Sequence, residues 1–282
     1  MRRCLTLAFF LAVLISVSGC STRFMYNQLD WAAVWYLDRY FSLTEEQETE
    51  LRAAVDRNLE WHRYTQLPRY AEFCRQLDRQ TGGQLTAEMM RARYDEMLMF
   101  WDDFMLHIIP DAQVFLMNLT PEQINEVVEK MEESNQEMHE EYSGDTAEKR
   151  QQRRDRASIR GIQMFTGKLN DEQKEFIKAS TASMLDASED WIDNRRKWQQ
   201  RFRQLLKDQP PPDEFRAELT ELFVYPRNAH DEDYRRRVEY NLDIFFNMVA
   251  TLDGILTDAQ RKRMSRRLNN YARDFELLAA AQ

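Results

Sequence analysis

The side chains able to do chemistry are few and scattered. His62, His107, His139 and His230 are widely separated, with no His-x-x-x-His pair and no paired cysteines, so a zinc centre lacks its usual local frame. Cys74, between Phe73 and Arg75, reads as a small core residue in preference to a nucleophile. Met89, Met90, Met97, Met99, Met105 and Met117 are soft thioethers of the kind that bind copper(I), but methionine also fills irregular cores and adaptable grooves, and that reading is preferred. The acids from Glu122 to Glu141, including Glu126, Glu129, Glu133 and Glu137, give a helix a negative face without the spacing of a calcium loop. No glycine-rich phosphate loop, nucleophile elbow or serine–lysine motif occurs. We therefore expect no catalytic residue, no metal and no cofactor. A cryptic hydrolase assembled from distant residues would announce itself only as a pocket with convergent polar groups.

The start of the chain carries a different signal. Arg2 and Arg3 precede an apolar run from Leu5 to Val17, which closes on Val17, Ser18, Gly19 and Cys20. The run is shorter than the ~20 residues of a spanning helix. This arrangement resembles the bacterial lipobox, which implies removal of residues 1–19, a covalent lipid on Cys20 and attachment to a membrane. Because Ser21 follows the cysteine in place of aspartate, the resemblance implies the outer membrane, facing the periplasm, in preference to the inner membrane. Losing residues 1–19 takes away two arginines and no acid, so a net charge of −9 becomes more negative still, which argues against nucleic acid as a partner.

The rest of the chain reads as helix. Seven glycines and seven prolines in 282 residues, abundant Leu, Met, Arg, Glu and Gln, and little strand-like alternation point to an all-α, multi-helix bundle. One motif punctuates it: Leu43-Thr44-x-x-Gln47, Leu119-Thr120-x-x-Gln123, Leu169-Asn170-x-x-Gln173 and Leu256-Thr257-x-x-Gln260. Each has the form of a capping box, in which Thr or Asn accepts a hydrogen bond from the first turn and Gln returns one to the cap. Only Leu119 and Ile124 add a hydrophobic staple. Phe73, Leu77 and Gln80 match Phe202, Leu206 and Gln209, and each set leads into a turn, Thr81-Gly82-Gly83 or Pro210-Pro211-Pro212. The pattern implies two pseudo-repeated lobes, 43–142 and 169–282, after an aromatic N-terminal segment, 20–42. A charged connector, 143–168, separates them, with its arginines paired to Glu148 and Asp155.

The boxes resemble the Leu-Thr-x-x-Gln signature of the periplasmic Spy and CpxP proteins, helical dimers associated with envelope stress and chaperone activity. The chain as a whole resembles an uncharacterised group of proteobacterial lipoproteins carrying a domain of unknown function. Together the resemblances imply an envelope location and, from the boxes, a chaperone-like role.

Two surfaces remain. Met90, Tyr94, Met97, Trp101, Phe104, Met105 and Ile108 form a stripe at helical spacing, which is a packing surface first and a candidate binding groove second. Phe24, Tyr26, Trp31, Trp35, Tyr36, Tyr40 and Phe41 crowd the segment after Cys20; Trp31 and Trp35 are expected to be buried, in preference to lying in a membrane interface. Basic clusters at 195–197, 235–237 and 261–267 are read as neutralised by neighbouring acids. The expected activity is therefore binding of a protein partner or client from a membrane-fixed position, with a structural adaptor for an envelope complex as the alternative.

Overall fold

Threonine, asparagine and aspartate set most helix starts. The structure, a computed structural model, describes residues 20–82, 85–142 and 146–281; the expected signal segment 1–19, Gly83 and Gly144 lie outside the described residues, as do the side chains of Cys20, the expected lipidation site, and of Ser21, His139, Glu140, Glu141 and Tyr142. The helices are α1 (Cys20–Tyr26), α2 (Leu29–Phe41), α3 (Glu45–Trp61), α4 (Leu67–Gln80), α5 (Ala87–Met117), α6 (Pro121–Tyr142) and α7 (Ala147–Thr166). They continue as α8 (Asp171–Ala182), α9 (Ser188–Asp208), α10 (Pro212–Phe223), α11 (Glu232–Gly254) and α12 (Asp258–Ala280). No strand occurs among the described residues, so the fold is all-α. Thr44, Thr120, Asn170 and Thr257 all cap as the boxes require, and Thr86, Thr146 and Asp231 cap α5, α7 and α11 without a returning glutamine. A π-helical turn, His62–Gln66, carries α3 into α4 without a break, and Pro68, which has no N–H to donate, stands at the second position of α4.

The two halves are interlocked. In the first half α2 packs on α3 and α6, and in the second α7 packs on α8 and α12. The middle helix of each half crosses over: α4 lies along α12, and α9 lies along α6. Arg75 on α4 pairs with both carboxylate oxygens of Glu276 on α12, and Asn269 Nδ2 donates to Asp78 at 2.7 Å. At the equivalent contact Asn135 on α6 donates to Gln199 on α9 at 2.7 Å, and Arg195 donates to Asn135 at 3.3 Å. The long helices α5 and α11 meet between the halves, where Tyr94 packs on Phe246 and Arg91 pairs with Asp243 and Glu239.

The core follows this exchange. Its largest cluster joins Phe41, Met105, Ile109, Leu116, Leu119, Ile124 and Val127 with Phe202, Leu205, Leu206, Phe215, Leu219 and Leu222 from the second half. Leu169, Ile177, Met248, Leu252 and Leu256 form a second cluster, and Ala71, Cys74, Tyr271 and Ala272 a third across α4 and α12. The segment read as a connector is not a solvated strut. Ile159, Ile162 and Phe165 of α7 pack into the second and third clusters, and Arg150 and Arg154 pair with Asp186 beyond α8. A stripe three residues apart is easily hidden in sequence by the charges around it.

Candidate functional site

The four capping boxes come together in two pairs. In the first, Gln47 Nε2 donates to Gln123 Oε1 at 3.1 Å and to the Asn118 carbonyl at 3.2 Å; Gln123 Nε2 donates to Gln47 Oε1 at 2.7 Å and to the Ser42 carbonyl at 3.2 Å. The second repeats this, with Gln173 Nε2 on Gln260 Oε1 at 2.9 Å and the Ile255 carbonyl at 3.0 Å, and Gln260 Nε2 on Gln173 Oε1 at 2.8 Å and the Lys168 carbonyl at 2.9 Å. Each carbonyl belongs to the residue just before the partner box. Two glutamines thus cap two helices and clasp two loops, with local twofold symmetry. Leu119, Leu169 and Leu256 are buried beneath the clasps, and Leu43 is half-buried. The motif is architectural: every polar atom of the inner clasp is used, so none remains for a ligand.

Helix α5 presents two apolar faces. The expected binding stripe is mostly interior: Met105 is buried, Trp101, Phe104 and Ile108 pack on the largest cluster, Trp101 Nε1 donates to the Phe223 carbonyl at 3.1 Å, and Tyr94 is held by Phe246. Met90 is half-buried and Met97 alone of the seven is exposed. The opposite side carries Met99, Leu106 and Val114 in solvent, at 55, 47 and 58 % exposure, with exposed Pro110 between the last two. Spacing marked α5 as amphipathic and missed this row, because the residues around it are charged.

The N-terminal aromatics divide as well. Tyr26 is buried, shares a 2.9 Å hydrogen bond with His62 Nδ1, and lies beneath the Arg63 guanidinium. Arg23 reaches the buried carboxylate of Asp274 at 3.6 Å, so α1 is docked on α12. Phe41 and Tyr40 enter the core. Trp31 and Trp35, however, are not buried: they stand 56 and 47 % exposed, stacked on each other at 5.9 Å, with Arg39 over Trp35. The inner face of α2 is filled by Val34, Leu37 and Phe41, and no second side remains for the indoles.

The titratable groups give no assembled centre. Burial lowers His62 to about 4, and His62 sits among Tyr26, Tyr70 and Phe104. His107 stacks on Trp61 at 3.7 Å, and burial lowers His107 and His230 too. Burial pushes the Cys74 thiol up to about 12, as fits a core residue. Among the described residues no three His, Cys, Asp or Glu side chains gather as metal ligands, and the methionines are divided between core and solvent. Ion pairs neutralise part of each basic cluster: Lys197 with Asp231, Arg236 with Glu232 and Asp233, Arg237 with Asp190, and Arg261 with the buried Asp253. An open cleft of about 620 Å³ beside Arg261, Lys262 and Arg266 contains Asp78, already bonded to Asn269, and no histidine.

Fold and clasps together define an all-helical protein built from two interlocked halves. It belongs to DUF6279, a family of unknown function, whose match spans residues 39–235. No curated protein and no solved structure matches the chain.

Proposed function

We propose that this protein is an envelope lipoprotein, held through lipid on Cys20 at the periplasmic face of the outer membrane, that acts by binding other proteins and not by catalysis. The anchor rests on the lipobox resemblance of Val17 to Cys20 after a charged and apolar leader. The observation that carries the binding is the outward row Met99, Leu106 and Val114 on α5. A helix whose inner stripe is already packed has no structural need for a second apolar side. Methionine there suits a surface that adapts to more than one apolar segment. The likeness of the four boxes to those of the Spy and CpxP proteins favours a chaperone-like role over a dedicated adaptor.

The test is suppression of aggregation of a chemically unfolded client. The full chain should suppress it at several-fold excess, and the Met99→Gln, Leu106→Gln, Val114→Thr variant should lose most of that effect at unchanged helicity. No suppression by the unaltered protein overturns the chaperone-like reading. A photoreactive residue at position 106 in cells then separates the two forms of binding: many adducts mark a chaperone, and a single dominant adduct marks an adaptor.

A further inference from the structure

Three exposed aromatic side chains follow Cys20 closely: Phe24 at 67 %, Trp31 at 56 % and Trp35 at 47 % exposure. They are held outward by what lies behind them. On α1, Tyr26 is 2 % exposed and fixed by His62, Arg63 donates to Asn27 at 3.1 Å, and Arg23 reaches Asp274. On α2, Val34 and Phe41 are buried on the inner side, while the two indoles, one turn apart, stack at 17° between planes on the outer side. The rings therefore cannot turn inward without undocking both helices.

The chain before Cys20 says what covers them. An apolar run, Leu5 to Val17, ends three residues ahead of Cys20, which opens α1. At 1.5 Å per helical residue, and with the turn at Asn27 and Gln28 between the two helices, the fifteen positions from Cys20 to Trp35 reach at most about 30 Å, so the rings stay within that distance of wherever Cys20 is held. Tryptophan is favoured at the boundary of headgroups and acyl chains, where its apolar body is buried and its N–H stays wet.

We infer that the outer face formed by Trp31 and Trp35 is a second membrane contact, seated in the interface of the bilayer that holds Cys20. This rests on the reading of Cys20 as the anchor. Because α1 and α2 are docked on the body, the contact fixes how the whole molecule faces the periplasm instead of leaving it on a loose tether. Asp30 and Asp38 flank the indoles and Arg39 is the cation over Trp35, so the contact is apolar in origin and needs no anionic lipid.

The experiment is quenching of tryptophan emission of the purified full chain in phosphatidylcholine vesicles carrying brominated acyl chains. Two of the six tryptophans should respond, more strongly to bromine near the headgroup than to bromine deep in the chain, and the Trp31→Ala, Trp35→Ala variant should lose the response with its far-ultraviolet spectrum unchanged. Equal quenching in both proteins, or none in either, overturns the membrane contact. The mass of the N-terminal peptide reads the anchor separately. Acylated Cys20 without indole quenching leaves the anchor standing and removes the contact; an unmodified Cys20 removes the anchor, and the same variant comparison with added vesicles still decides the contact.

Discussion

His62 opens the π-helical turn between α3 and α4, and its imidazole is the hub that holds α1 to the body. It touches the rings of Tyr26, Tyr70 and Phe104, and Tyr26 Oη lies 2.9 Å from Nδ1. In this apolar setting the charged form is penalised, and burial lowers the group from 6.5 to about 4. The unfolded chain takes up a proton first as pH falls, so the stability held by neutral His62 is complete above about 6.5 and drains away down to about 4. By pH 5.5 the loss is on the order of 1 kcal/mol. His107 and His230, lowered for the same reason, act in the same direction. Thermal unfolding at pH 7.5 and 5.5 measures the effect. His62→Phe should flatten the difference, and an unchanged difference in that variant would place the pH sensitivity elsewhere.

At the scale of elements, the glutamine clasps decide how helix pairs are held. Gln173 is 1 % exposed, and its amide serves the Ile255 carbonyl, the Asn170 N–H and both polar atoms of Gln260. Gln173→Ala strands all of these in the interior, at a cost of about 2–4 kcal/mol for more than one orphaned group. Gln47 occupies the matching position in the more exposed clasp, where water replaces the lost partners, so Gln47→Ala should cost about 1 kcal/mol. Denaturant midpoints of the two variants check the ranking, and equal losses would mean that the clasps contribute only their local caps. The local half of this motif was legible in sequence, because a cap needs only its own first turn. Its pairing was not, since nothing within five residues says which other loop lies opposite. The same limit explains the other departures. Ile159, Ile162 and Phe165 were hidden by the arginines of α7, and the composition of α2 listed its aromatics without saying that Val34, Leu37 and Phe41 would take the inner side before Trp31 and Trp35 could. On α5 the inward stripe was readable from spacing, whereas its outward row became visible only once α3, α4, α10 and α11 had taken their places around it.

For the whole molecule, the exchange of α4 and α9 means that the largest core cluster is shared between the halves, whereas the smaller cluster of Leu169, Ile177, Met248, Leu252 and Leu256 is drawn from the second half alone. Phe202, Leu205, Leu206, Phe215, Leu219 and Leu222 are each no more than 5 % exposed, and they pack on Met105, Ile109 and Leu116 of the other half. Burying six such side chains is worth on the order of 10 kcal/mol, which exceeds what the covalent link between α6 and α7 contributes by restricting the unfolded chain. Cutting that link should therefore leave the halves together. With a protease site inserted at residues 143–145, the cleaved protein should elute as one species of unchanged size and unfold in a single transition, its fragments parting only in denaturant. Two separately eluting, helical fragments would show instead that each half folds alone, and the outward row on α5 would then belong to a lobe free to move against its neighbour. A single transition would fix that row relative to the N-terminal helices, so that whatever orients α1 and α2 also aims the binding surface.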